Sequence, residues 1–193
     1  MHTLSTLLKT RAQTMKKWQK INTRLLFKHT RLNVYEDDVI LPAGEHIQYL
    51  HYGTTSDSVV IIAQQKDGRI LVQKEYSYPP DRWLLQFPGG KVEDQESTQE
   101  AAMRELAEEA NITGSFKEIG WFYTDNRRST CKMYVYTATC LNPTEGTPDL
   151  EELFEDNWLS EKTITEYIAM GKIVNYSLLS AWSIYKSQTN TTI

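Results

Sequence analysis

The stretch GKVEDQESTQEAAMRELAEEANI, residues 90–112, decides how this chain is read. Its second half lacks proline and glycine and predicts a helix over 98–110. Ser97 followed three residues later by Glu100 is a capping-box pair, in which each side chain satisfies the other residue's otherwise orphaned N–H. Asn111 suits the left-handed turn that ends many helices. At about 100° per residue, Glu105, Glu108 and Glu109 share an arc of about 100°, and Ala102, Met103, Leu106 and Ala110 fill the adjoining arc. Three like charges so placed repel one another mildly. A divalent cation with hard oxygen ligands would convert that repulsion into binding. Taken alone, the pattern also fits a solvated acidic face on which Arg104 pairs with Glu108.

The flanking sequence supplies strands. Upstream, DSVVIIAQ and RILVQKEY are joined by QKDGR, whose Asp67-Gly68 pair signals a hairpin. SYPPDRW is a turn, and WLLQF is a short strand running into Pro88-Gly89-Gly90. Farther upstream, Arg24 to Val34 reads as one strand, and LPAG (41–44) turns the chain into HIQYLHY (46–52). Downstream, strands are expected near 115–123, 131–140 and 153–159, then helices near 162–170 and 175–187, the first stopped by Gly171. Mixed strands with few helices predict an α/β (α+β) domain, a mixed β-sheet sandwich between helices with an added N-terminal strand region.

The spacing G-x5-E-x7-R-E-U-x-E-E-x-G-U, with U a bulky aliphatic residue, is the box of the Nudix hydrolases. This sequence resembles it at Gly90, Glu96, Arg104, Glu105, Leu106, Glu108, Glu109 and Ile112. One fixed position departs, because Asn111 stands where the family has glycine. The resemblance implies that Gly89 (through its carbonyl), Glu105, Glu108 and Glu109 hold Mg²⁺, with Mn²⁺ as the alternative. It makes Gly90, Glu96 and Arg104 structural members of the box. Glu108 is also a catalytic candidate. Family members hydrolyse a diphosphate linked to a further moiety X.

LVQKEYSYPPDRWLLQFPGGKVE and MGKIVNYSLLSAW resemble the ADP-ribose and nucleotide-sugar pyrophosphatase branch. That implies ADP-ribose as substrate, with AMP and ribose 5-phosphate as products. Ser77 and Arg127 depart from that branch's usual arginine and proline. They keep other nucleotide sugars, dinucleoside polyphosphates and a non-catalytic nucleotide-binding module open. In that branch the base comes from an acidic loop after the long strand, which here gives Glu151 and Glu152. For substrate contacts, adjacent Arg127 and Arg128 offer a bidentate phosphate clamp. Tyr76, Tyr78, Trp83 and Tyr123 offer rings for a base. His2, His29, His46 and His51 show no metal-ligand spacing.

Charge and cysteines bound the rest. The 193 residues carry a net charge of −4, yet residues 1–35 hold eight basic side chains and no acid. A basic, surface-exposed helical extension over 1–20 accounts for this, and an organelle presequence fits the same composition. No DNA-reading motif accompanies it, so no nucleic-acid partner is expected. No apolar run approaches the roughly 18–20 residues that span a bilayer, so no membrane partner is expected either. Cys131 and Cys140 bracket one predicted strand and would sit roughly 30 Å apart at about 3.3 Å per residue. Two thiols that cannot pair point to a reducing, cytoplasmic setting. Residues 21–52 read as strands rich in aromatic and β-branched side chains, ahead of a catalytic domain over 53–193. The resemblance implies that such strands build a homodimer and shape the partner's cleft.

Overall fold

The structure is a computed structural model that describes residues 16–53, 56–146 and 154–189. The chain forms two compact units, Met1–Thr55 and Ser56–Ile193. In the first, β1 (Gln19–Lys28), β2 (Asn33–Ile40) and β3 (His46–Gly53) make an antiparallel meander. The β2–β3 turn is the predicted one, with Gly44 N–H donating to the Leu41 carbonyl. One expectation fails in this unit. Arg24 to Val34 is not one strand, because His29 N–H donates to the Leu32 carbonyl and reverses the chain between β1 and β2. The predicted helix over 1–20 lies mostly outside the described residues, but Gln19 and Lys20 begin β1. There they pair with Ile40 and Val39.

The second unit is layered. β4 (Ser58–Ala63) runs parallel to β8 (Lys132–Pro143), which pairs antiparallel with β7 (Ile112–Tyr123). A second sheet has β5 (Ile70–Ser77) between β6 (Arg82–Gln86) and β9 (Phe154–Leu159), all antiparallel. Alternation along β4 shows how the faces divide. Val59, Ile61 and Ala63 pack with Ala101, Ala102 and Leu106 of helix α1 (Thr98–Ala110). Val60 and Ile62 pack with Ile164 of α2 (Glu161–Ala169) and with Leu178, Ala181 and Trp182 of α3 (Tyr176–Thr189). The strands therefore lie between helices, as the sequence predicted.

The Asp67-Gly68 turn is present, closed by Gly68 N–H donating to the Gln65 carbonyl. It does not make the predicted hairpin. Only Gln64 and Ile70 bridge, and β4 and β5 then diverge into different sheets. The reason is burial: each strand has apolar residues on both faces and takes interior partners on long-range segments, β8 for one and β9 for the other. Both cysteines are free, Cys131 buried and Cys140 exposed. Among the described residues no helix is long and apolar enough to cross a membrane.

Candidate active site

Helix α1 is fixed first at its ends. Ser97 Oγ accepts from Glu100 N–H at 3.2 Å while Ser97 N–H donates to Glu100 Oε2 at 2.8 Å, the reciprocal cap that the sequence predicted. Ser97 Oγ also donates to Glu100 Oε2 at 2.6 Å, and this bond, with the one from Ser97 N–H, holds the Glu100 carboxyl below its usual range. At the other end Asn111 takes φ 53° and ψ 40°, the left-handed cap. The buried face differs from the predicted stripe. Ala101, Ala102, Glu105 and Leu106 are buried, while Met103 is 41% exposed. The buried arc is rotated toward the acids, so one carboxylate, Glu105, lies inside it.

Arg104 explains how a carboxylate can be buried there. Its Nε and Nη2 donate to the two oxygens of Glu96 at 2.9 and 3.0 Å. Its Nη1 donates to Glu105 Oε1 and Glu108 Oε2, both at 2.9 Å, and Nη2 also reaches the Lys91 carbonyl at 2.8 Å. The sequence offered only the Glu108 pair. The bidentate bond from Arg104 holds the Glu96 carboxyl below its usual range, and the same bond raises the guanidinium above its own. One cation thus ties the loop before α1 to two acids on the helix.

The Pro88–Gly90 turn closes on those acids. Pro88 and Gly90 carbonyls accept from Ile61 and Val59 N–H, both at 2.8 Å, which fastens the turn along β4. Gly89, at φ +152°, donates its N–H to Glu109 Oε2 at 3.2 Å. Gly90 faces Glu105 so closely that an added Cβ would lie 2.3 Å from Oε1. Gly89, Gly90, Glu105 and Glu109 therefore meet, and Glu108 joins them through Arg104. Among the described residues no three His, Cys, Asp or Glu side chains already converge in metal-holding geometry. The donors gathered at this turn are nevertheless all hard oxygens, one of them on a carboxylate only 8% exposed, which suits Mg²⁺ or Mn²⁺.

The remaining candidates lie on other elements. Tyr76 and Trp83 are cross-strand partners on β5 and β6, their rings 5.6 Å apart, with Lys74 Nζ 5.4 Å from the Trp83 ring. Both rings are exposed, and Tyr76 also donates its hydroxyl to Asp81 at 2.6 Å. Arg127 and Arg128 sit in the turn between β7 and β8, on the other sheet, where both their N–H groups donate to Asp125. Tyr78 and Tyr123 are exposed. Glu151 and Glu152 lie outside the described residues. The described residues that flank them are Gly146, packed on α1 so that a Cβ would meet the Ala107 carbonyl, and Phe154, opposite Glu75 of β5.

Sequence reasoning missed Gln73 beside this cluster, and a second polar group around Gln86. Gln73 is fully buried, and its Nε2 donates to the Glu109 carbonyl. Its signal was a carboxamide inside the apolar end of a strand. Gln86 donates to half-buried Glu75 and accepts from Asn175, the residue whose Oδ1 caps the start of α3. Burial raises the Glu75 carboxyl above its usual range.

A family model described as NUDIX domain matches residues 54–178. The chain is 27% identical over 167 residues to an ADP-ribose pyrophosphatase of Bacillus subtilis (strain 168), covering 84% of this chain and 86% of that one. It is 24% identical over 159 residues to a CMP-5'-(N-acetyl-N-hydroxy-3-aminopropyl)phosphonate hydrolase of Streptomyces rubellomurinus (strain ATCC 31215), covering 82% and 77%. With the Homo sapiens diphosphoinositol polyphosphate phosphohydrolase 3-alpha it shares 26% over 127 residues, covering 65% and 76%. A solved structure described as ADP compounds hydrolase matches the fold with a TM-score of 0.84 at 18% identity, covering 94% of this chain and 100% of that one.

Proposed function

The chain belongs to the Nudix family, and from that premise we propose that it hydrolyses the diphosphate of a nucleoside diphosphate linked to a second moiety, with ADP-ribose yielding AMP and ribose 5-phosphate. One observation carries this reading: the Gly89–Gly90 turn abuts Glu109 and Glu105 while Arg104 gathers Glu96, Glu105 and Glu108. The choice of ADP-ribose is supported by the Bacillus subtilis relative and by the branch-like segments around Tyr76 and Lys172.

Glu105, Glu108, Glu109 and the Gly89 carbonyl are the proposed Mg²⁺ ligands. Bound Mg²⁺ would supply charge neutralisation for the diphosphate and lower the pKa of an attacking water. The chain's own part is to hold those oxygens in place. Arg104 keeps Glu105 and Glu108 oriented, and the Gly89 N–H keeps Glu109 against the turn. Glu152, with Glu151 as alternative, takes the water's proton. In support, the described residues that flank them in sequence, Gly146 and Phe154, lie on α1 and opposite Glu75. Water adds across one P–O bond of the bridge, and the other phosphoryl group departs as a phosphate monoester. Tyr76 and Trp83 offer ring faces to the base, and Arg127 and Arg128 offer donors to phosphate.

The protein acts as a homodimer in this reading. Support comes from β1, where Ile21, Leu25, Leu26 and Phe27 are each more than half exposed, an apolar strand that a solitary unit would leave open to pairing. A product-resolved panel of ADP-ribose, nucleotide sugars, dinucleoside polyphosphates and nucleoside triphosphates tests the substrate. A large preference for nucleoside triphosphates would overturn the ADP-ribose assignment. Light scattering should give a mass near twice 22.4 kDa, and an active micromolar monomer would remove the dimer.

A further inference from the structure

Strand β5 opens with Ile70, Leu71 and Val72, all fully buried, and Gln73 continues the run at 0% exposure. A carboxamide in that place has two donors and two acceptor sites to satisfy. Its Nε2 donates to the Glu109 main-chain carbonyl at 3.4 Å and to Asp156 Oδ1 at 3.1 Å. Both partners are acceptors, so a reversed amide would set oxygen against two oxygens, and the orientation is fixed by its network. Oε1 meets no donor among the described residues. A leucine would fill the same space, but it would take this donor away from the Glu109 carbonyl and from Asp156 Oδ1.

What glutamine provides is a clamp. Glu109 lies in the last turn of α1, where carbonyls have no intrahelical donor. Gln73 supplies one, and through Asp156, its register partner on β9, it ties the same point to the neighbouring strand. Glu109 is thereby held twice, by Gln73 at its main chain and by the Gly89 N–H at its carboxylate. We propose that Gln73 is a positioning residue that fixes Glu109 within the acidic cluster. This rests on the reading of that cluster as the metal-binding site of a hydrolase.

The test is Gln73→Leu in the full-length protein, with three readouts. Thermal melting should stay close to wild type, because burial of the leucine side chain offsets the two lost hydrogen bonds. Mn²⁺ affinity without substrate, read by electron paramagnetic resonance, should fall about 10–100-fold, as when the outer support of a metal ligand is removed. Turnover of ADP-ribose should fall by a similar factor, with KM moving less than about threefold. Normal Mn²⁺ affinity and turnover in the variant would make Gln73 a core filler and overturn the proposal, as would a loss that merely follows a collapsed melt. If the wild type binds Mn²⁺ but turns nothing over, the hydrolase reading fails and the Mn²⁺ comparison still decides the role of Gln73. If the wild type binds no Mn²⁺, both fall together.

Discussion

The two glycines of the turn make a discriminating pair of substitutions. In Gly90→Ala the new Cβ would stand 2.3, 2.5 and 2.7 Å from Glu105 Oε1, Cδ and Oε2. Non-bonded heavy atoms rest about 3.5 Å apart, so the carboxylate must retreat by roughly 1 Å. It is the end of a flexible side chain and can do so, but its 2.9 Å bond from Arg104 Nη1 does not survive the shift. An off-rotamer side chain and a weakened charged hydrogen bond together cost about 1–3 kcal/mol, a fall of several degrees in Tm. Function should suffer more, because a misplacement of about 1 Å at a reacting centre costs about 10²-fold. Gly89→Ala is different. Its Cβ would lie 2.2 Å from the Val59 carbonyl oxygen and 2.9 Å from Val60 Cα, at a φ of +152° that side chains rarely adopt. Backbone in the centre of the unit cannot step aside, so that variant should lose about 4 kcal/mol or more and fold poorly. Melting curves paired with steady-state hydrolysis of ADP-ribose separate the two. Gly90→Ala turning over within threefold of wild type, with its melt intact, would mean that the place of the Glu105 carboxylate is immaterial.

Four more substitutions probe the cluster from other sides. Glu109→Gln and Glu105→Gln should each lower kcat about 10²–10⁴-fold; metal-free stability should be level or slightly higher in Glu109→Gln as like-charge repulsion is relieved, and lower in Glu105→Gln, which weakens the charged bond from Arg104; near-normal rates in both would reduce the arc to a solvated surface. Glu96→Gln should cost about 1–3 kcal/mol at pH 7 by breaking the bidentate Arg104 bond. Because the folded carboxyl titrates below the ordinary value of 4.5, that stability is fully present above pH 4.5 and disappears as pH falls through the lower, folded value. Denaturant titrations of both proteins should therefore converge in acid, and a gap that persists at pH 2 would contradict the assignment. Asn111→Gly should stay within about 1 kcal/mol of wild type, since relief of the left-handed backbone offsets a lost hydrogen bond, yet kcat should drop several-fold; parallel melts and rates check both halves.

What the sequence made legible was local. The capping box and the left-handed cap follow from spacings of three and four, and both stand in the structure as read, while the acidic arc was legible only as a spacing and Glu105 lies in the buried face. Strand partners were not legible, because they are chosen across long separations by burial on two faces. The Asp67-Gly68 turn was visible while the divergence of β4 from β5 was not, since β8, the true partner of β4, lies some seventy residues on. The break at 29–32 was invisible for another reason. KHTRLN contains no glycine or proline, and the reversal rests on His29, whose N–H bonds Leu32 and whose Nδ1 accepts from Arg31 N–H. Arg104 was legible as a neighbour of Glu108. Its bonds to Glu96 and the Lys91 carbonyl depend on the path of a loop that no periodicity encodes.

Asn111 shows how a departure from a family pattern can add an interaction. The backbone there needs a left-handed residue, and asparagine meets that need at φ 53° with little strain. Its Oδ1 then accepts from Gly146 N–H at 3.2 Å, and its carbonyl accepts from Thr144 N–H at 2.9 Å. Residues 144–146 are thereby laid along the end of α1, where Gly146 approaches so near that a Cβ would sit 1.9 Å from the Ala107 carbonyl oxygen. Glycine at 111 could keep the backbone turn but not the side-chain tether. The tether anchors the stretch leading into the segment that carries Glu151 and Glu152 within one residue of Glu108. The single mismatch in the box thus gives the helix bearing the proposed metal ligands a direct hold on the chain leading to the proposed base. Asn111→Gly is for that reason expected to separate turnover from stability, where a residue that only ended the helix would change both or neither.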